Sequence, residues 1–273
     1  MDGERTDDRA LIGLSGADAL GFLQGLLTND LRPLGAGEGI VWTALLTPQG
    51  KYLVDFLVVS TGGRLLIDVK DSFAPGLMKR LAMYRLRADV QLAPVTLTVT
   101  RGLAVPPPGA LADPRHAALG WRRYGGPEGA DPAIDWDAIR VAHVIPETGI
   151  ELIPDETYIL EAGFEALHGV DFRKGCYVGQ EVIVRIVHRG GGRVVRRLVG
   201  LVVDGDAVPA ARAVVKAEKG DVGRVTSSAW SPRLGAAVAL AYVHRDSAEP
   251  GTTVRVACDG GEVVATVRAF PLS

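Results

Sequence analysis

Cysteine is scarce in this chain: Cys176 and Cys258 are the two among 273 residues. They cannot build a disulfide framework, and alone they cannot make a four-thiolate metal site. Aromatic residues, at 6%, are also sparse, so platforms for stacking bases are few. A basic excess is missing too, since 30 Lys and Arg against 32 Asp and Glu leave a formal charge of -2. Bulk phosphate neutralisation is therefore excluded, and no direct nucleic-acid binding is expected. The longest apolar run, 236–243, falls far short of the ~18–20 residues that span a bilayer. The opening MDGERTDDRA is acidic and lacks the cationic-then-apolar pattern of a secretory leader. These absences predict a soluble chain in a reducing compartment, with no membrane partner.

What is present supports a sizeable interior. Apolar residues make up 47% of the chain and charged ones 23%, which excludes intrinsic disorder. Glycine stands at 34 residues, well above its ordinary ~7% share, and implies many turns and close backbone approaches. The length allows two or three cores.

Helical spacing of Ala19, Phe22, Leu23, Leu26 and Leu27 predicts a first helix. Ser15 serves as its N-cap, and Asp18 stands three places on. Runs at 39–46, 52–60 and 64–69, parted by Pro48-Gln49-Gly50 and Thr61-Gly62-Gly63, read as antiparallel strands. A second helix begins near Asp71, with Phe73, Leu77, Leu81 and Tyr84 on one stripe. The Pro- and Gly-rich stretch 105–132 reads as an irregular excursion. Short helical segments are expected at 136–145 and 158–167. For 177–187 a repeat of Val178, Val182 and Ile186 favours helix over strand. Arg189-Gly190-Gly191-Gly192-Arg193 reads as a linker. Five strands follow at 198–203, 223–227, 236–242, 253–257 and 263–269. Asp259-Gly260-Gly261 makes a hairpin turn, Trp230-Ser231-Pro232 a packed turn, and the whole a small barrel or sandwich.

The densest chemistry sits in Lys174-Gly175-Cys176-Tyr177-Val178-Gly179-Gln180-Glu181. Gly175 permits a turn, and a helix starting just after it would put Cys176 in the positive field of its first turn. With Arg173 and Lys174 adjacent, that setting would favour the thiolate. The alternative is an inert buried thiol. His188 has no partner that would make it the base of a Cys–His hydrolase, and the two cysteines and five histidines show no metal-ligand spacing.

The string KGCYVGQE resembles the signature of the YgfZ family, folate-binding relatives of the glycine-cleavage aminomethyltransferase (T-protein). That family also includes a mitochondrial iron–sulfur assembly factor. LSGADALGFLQGLLTNDL at 14–31, TALLTPQGKYLVDFLV at 43–58, MYRLRADV at 83–90, GVDFRKGCYVGQEVIVRIVHRG at 169–190 and GRVTSSAWSPRLGAAVALAYV at 223–243 are similar in family order. The resemblance implies an α+β chain with a GcvT-like folate-binding fold of antiparallel sheets and helices, plus a small C-terminal β-barrel. It places a two-lobed folate-binding region at 1–100 and 133–190, a variable excursion at 101–132, and the barrel at 193–273. Three lobes would form a ring with tetrahydrofolate in its channel.

It further implies an accessory role in iron–sulfur cluster assembly or repair, supporting enzymes such as radical tRNA methylthiotransferases. The partners would be tetrahydrofolate and iron–sulfur carrier or client proteins. Cys176 would be the functional thiol and make a transient iron–sulfur contact, and no resident metal is implied. Lys174, Gly175, Tyr177, Gly179 and Gln180 would shape its turn. Asn29 and Asp30 would face the channel. Tyr84 and Arg87, with Arg85, are candidates for the folate glutamate tail, or else core stripe and solvated charge. Glu156 faces either the channel or solvent. Asp55 falls near the aminomethyltransferase's catalytic acid, yet Gly50-Lys51-Tyr52-Leu53-Val54-Asp55 departs from the enzyme's Gly-Gly-x-x-Asp-Asp hairpin. One carboxylate of the pair is lost, so Asp55 is either a surviving general acid/base or an exposed strand carboxylate. Two alternatives to the assembly role stand: a tetrahydrofolate-dependent aminomethyl transferase, and a folate-independent docking module. The acidic start and the preference for arginine over lysine suit a bacterial cytoplasm better than a mature mitochondrial chain.

Overall fold

In the computed structural model, which describes residues 3–189, 194–218 and 220–268, the chain forms two compact units. Unit 1 comprises Met1–Ile134 and Glu165–Val182; unit 2 comprises Asp135–Phe164 and Ile183–Ser273. The chain therefore passes from one unit to the other three times. Residues 135–164, expected in the folate-binding region, group with the barrel.

Unit 1 holds β1 (Glu4–Arg5), β2 (Arg9–Ser15), α1 (Ala19–Gln24), β3 (Gly39–Leu46), β4 (Tyr52–Thr61), β5 (Arg64–Lys70), α2 (Ala74–Arg85), β6 (Gln91–Val95), β7 (Val99–Gly102), β8 (Leu111–Ala112) and β9 (Trp121–Tyr124). One sheet runs β3-β4-β5-β2-β6, all antiparallel. Its apolar face closes a core over α1 and α2 through Leu23, Leu27, Phe56, Ile67, Leu77 and Leu81. The β3–β4 and β4–β5 hairpins fall where the turn residues put them.

Other expectations need correction. Ser15 is the last residue of β2, and α1 opens at Asp18, which makes no side-chain cap. The helix also stops before Leu26 and Leu27, which are buried in the turn beyond it. The excursion is not wholly irregular: 101–132 carries the end of β7 together with β8 and β9, which join β1 in a second sheet, β1-β7-β9-β8. Tertiary pairing supplied what that Pro- and Gly-rich composition hid.

Asp68 of β5 is fully buried. It accepts hydrogen bonds from Arg9 at 2.6 Å and Tyr124 at 2.7 Å, and Arg122 lies at 3.5 Å. Arg122 bridges on to Asp113 at 3.1 Å, which Arg115 also grips at 2.8 Å. Burial works to raise the Asp68 carboxyl, but the Arg9 and Arg122 charges outweigh it and hold it below the ordinary range.

Unit 2 contains α3 (Trp136–Ala142) and most of α4 (Gln180–Arg189). A closed barrel of β10 (Arg196–Val203), β11 (Val214–Ala217), β12 (Gly220–Ser231), β13 (Ala236–His244), β14 (Thr253–Cys258) and β15 (Gly261–Arg268) follows, in the order β10-β13-β12-β11-β14-β15. The barrel thus has six strands where five were expected, because β11 was too short to read. The Asp259-Gly260-Gly261 turn joins β14 to β15 as the sequence indicated. Trp230 is 41% exposed at the end of β12, so it does not pack in a turn. The expected 158–167 helix is instead a run of turns, broken by Gly163 at φ +79° and followed by His168 at φ +57°. Most of the Arg189–Arg193 linker lies outside the described residues.

Inside unit 2, Arg140 of α3 sits buried between Glu151 at 3.0 Å and Ser227 at 2.9 Å. Ser227 in turn donates to Glu151 at 2.5 Å. No helix of the described residues is long and apolar enough to cross a membrane.

Candidate functional site

The KGC segment is tied to the turn after α1. Thr28 donates to the Gly169 carbonyl at 2.8 Å, and the Asp171 amide donates back to Thr28 O at 3.1 Å. Asn29 spends its amide group on the carbonyls of Trp42 (2.7 Å) and His168 (2.6 Å). Lys174 completes the join. Its buried ammonium donates to the carbonyls of Gln24 at 2.8 Å, at the end of α1, and of Leu27 and Asn29 (2.9 Å) in the turn beyond it. Burial lowers the Lys174 ammonium to about 8, while Asp30 and Asp171 work against that fall. Lys174 also lies 5.3 Å from the ring centroid of Tyr177, a cation–π contact. Tyr177 is itself buried, which pushes its phenol well up.

Between these two anchors, Gly175 and Cys176 are exposed. The helix expected just past Gly175 begins instead at Gln180, so Cys176 is not in its first turn. Nor does Lys174 face the thiol's surroundings as a free cation, since its donors are taken by carbonyls. What the loop provides is access: a thiol held outward between two buried side chains.

The two glycines differ. Gly175 has open space where a Cβ would stand. Gly179 adopts φ +80°, and a Cβ there would meet the Thr47 carbonyl oxygen at 2.4 Å. Its bare backbone lies against the β3–β4 turn, as does Val182 against Gly50.

A cleft of about 690 Å³ opens beside this join, lined by Asn29, Asp30, Trp42, Glu165, His168, Asp171, Phe172 and Arg173 among others. Of the candidate cofactor-binding residues it gathers only Asn29 and Asp30. Both are committed within the fold, Asp30 to Arg32 at 2.7 Å and Gln24 at 3.0 Å. The Arg32 hydrogen bonds pull the Asp30 carboxyl down to about 2. Tyr84 packs on the unit 1 core from α2, and Arg87 is exposed beyond that helix. Neither lines the cleft. Gln180 caps the segment as the first residue of α4. The cleft's Glu165, His168, Asp171 and Phe172 were not singled out from the sequence, although Asp171 and Phe172 belong to the GVDF string that carries the family resemblance and Glu165 and His168 stand just before it.

Asp55 points both carboxylate oxygens at partners, Trp42 Nε1 at 2.8 Å and the Tyr52 hydroxyl at 2.7 Å. That is the setting of a structural acceptor, and neither reading made from sequence had included it. In unit 2, Glu156 is exposed and lines a separate cleft of about 650 Å³ with Arg196, Arg212, Arg224 and Tyr242. Cys258 is half-buried at the end of β14, with burial raising its thiol. Among the described residues no cluster of three or more His, Cys, Asp or Glu could hold a metal ion.

Comparison with known proteins adds lineage to this geometry. The human mitochondrial iron–sulfur cluster assembly factor IBA57 is 34% identical over 224 residues, 68% of this chain and 62% of the human one. The homologue from Chaetomium globosum is 33% identical over 79% of this chain and 60% of its own length, and that from Neurospora crassa 32% over 67% and 49%. This chain is a homologue of those assembly factors, within the YgfZ family. It spans less than two thirds of the length of these relatives.

The model of the glycine cleavage T-protein C-terminal barrel domain matches residues 196–273 of this YgfZ-family chain. The crystal structure of glycine cleavage system aminomethyltransferase T from Bartonella henselae superposes with a TM-score of 0.81 at 17% identity, covering 100% of this chain and 87% of that one. The GcvT-like fold with its C-terminal barrel is therefore established. The bacterial cytoplasmic setting is corrected: the assembly-factor relatives are named as mitochondrial. An arginine preference and an acidic start are weak signals, because both report composition and neither is an address.

Proposed function

We propose that this chain is an accessory protein of iron–sulfur cluster assembly or repair, in which Cys176 is the thiol that meets the cluster or its carrier. The observation that carries the reading is the exposed Cys176 loop, held outward between the buried Lys174 and Tyr177. The assembly-factor homologues support it. A thiolate is the form of cysteine that ligates iron or exchanges with a disulfide, and either reaction needs an accessible sulfur. Clients would be cluster enzymes such as radical tRNA methylthiotransferases, reached through cluster-handling partners. In cells lacking the homologue, Cys176→Ser should fold normally yet fail to restore cluster-enzyme activity, while Cys258→Ser should restore it. Full rescue by Cys176→Ser overturns the thiol role.

Tetrahydrofolate belongs to the same proposal as a ligand of the cleft beside the loop. The cleft's size suits a cofactor of that class. Glu165 and Asp171 would accept N–H groups of the pterin, and the 95%-exposed Arg173 side chain would meet the glutamate carboxylates. When bound, the group would supply one-carbon and redox chemistry. Anaerobic calorimetric titration should give saturable one-site binding that Glu165→Gln weakens. Absence of binding at millimolar ligand removes folate and brings forward the docking-module reading. Aminomethyl transfer is the weaker alternative, because the Trp42 and Tyr52 hydrogen bonds leave Asp55 poorly placed to serve as a general acid/base.

A further inference from the structure

We infer that the outer face of α2 and the turn after it form a docking surface for an acidic protein segment. Between Ser72 and Ala88 the chain has Lys79, Arg80, Arg85 and Arg87 and no acidic residue, although its overall charge is -2. Among the described residues none forms an ion pair with Lys79, Arg80 or Arg87. Arg85 turns back to the Val90 carbonyl at 3.3 Å. The nearest acid, Asp89, is occupied by the Ala17 amide at 3.1 Å.

Amid these cations stand Met83, 70% exposed, and Leu86, 90% exposed. Arg80 and Met83 stand three apart on one face of α2, and Leu86 and Arg87 follow in the turn past its end, so cations precede and follow the apolar pair. Leu86 is the more telling of the two. It ends the helix at φ 42°, ψ -103°, a conformation in which a glycine would be unstrained, while its side chain is almost wholly in water. Neither backbone preference nor core burial explains a leucine there. A partner's apolar notch does, with Met83 as an adaptable second contact.

The charge selects the partner. Arginine pairs carboxylates bidentately, so an acidic surface carrying an apolar patch is complementary. A lipid surface fits less well, because a helix of 12 residues with two large exposed apolar side chains offers little to bury in an interface. The face does not line the cleft beside Cys176, and the inference stands independently of the thiol and folate readings.

The test uses the whole chain and a labelled synthetic helix bearing glutamates on one side and leucines on the other. A scrambled peptide and phosphatidylserine vesicles serve as comparisons. Anisotropy should report saturable binding of the patterned peptide, weakened on the order of tenfold as salt rises from about 50 to 500 mM and again by Arg80→Glu with Arg87→Glu. Leu86→Gly should weaken binding while leaving thermal stability equal or higher, which separates docking from folding. Four results each overturn the inference: no saturable binding, equal binding of the scrambled peptide, affinity unchanged in both variants, or tighter binding to vesicles than to the peptide.

Discussion

A Cβ placed on Gly179 would stand 2.4 Å from the Thr47 carbonyl oxygen, at a φ of +80° that L side chains rarely adopt. Backbone cannot yield as a flexible side chain can, so Gly179→Ala should cost about 2–4 kcal/mol and lower the melting temperature by several degrees. Gly175→Ala, with open space and ordinary φ, should stay within about 0.5 kcal/mol of the parent. Chemical denaturation of the two variants checks the contrast, and equal losses would refute this account of the motif. In the sequence Gly175 stands out as the residue that permits a turn, whereas the structure puts the steric requirement on Gly179. Lys174 was misread as well: adjacency to Cys176 suggested a cation acting on the thiol, whereas its ammonium is buried against three carbonyls some 145–150 residues away.

The elements that could be read from the chain were those whose order is local. The β3–β4–β5 meander, α2 and the β14–β15 hairpin each carry their own period and turn residues. The run at 158–167 carries helical spacing yet folds as turns, because φ +79° at Gly163 breaks the helix while Ile159, Phe164 and Leu167 are each still buried. Asp68 was invisible inside an apolar strand, although it fixes how β5 meets β9 through Arg122 and Tyr124. Asp68→Asn leaves the Arg9 and Arg122 guanidinium groups without their shared anion and should cost about 3–5 kcal/mol near neutral pH. The acid dependence has a defined sign. The Asp68 carboxyl is held below its ordinary value of 3.8, so its contribution is complete above that value and fades as pH falls through the lower folded one. Urea titrations from pH 7 downward should show the gap between parent and Asp68→Asn narrowing below about pH 4. A gap that widened there would reverse the assignment.

At the scale of the molecule, the length suggested more than one core, and two units are present, but no stretch of sequence announces that each is discontinuous. Unit 1 takes back Glu165–Val182 only after the chain has contributed 135–164 to unit 2. The bonds that seat the cysteine loop are correspondingly remote: Thr28 to Gly169 spans 141 positions and Lys174 to Gln24 spans 150. Closing such loops costs entropy before any contact compensates it, so remote joins form late relative to hairpins. The Asp171 amide, donated to Thr28 O, offers a probe of that join, and the amides of β3 and β4 offer one of the local meander. In pulsed hydrogen exchange during refolding, β3 and β4 should gain protection first and Asp171 in a slower phase. A destabilising change at the join that touches no meander strand, Lys174→Met, should then mainly speed unfolding and leave the rate of meander protection unchanged. Simultaneous protection of both sites, or slowed meander formation in Lys174→Met, would mean that the remote join belongs to the folding nucleus, and that the site beside Cys176 is built with the scaffold and not onto it.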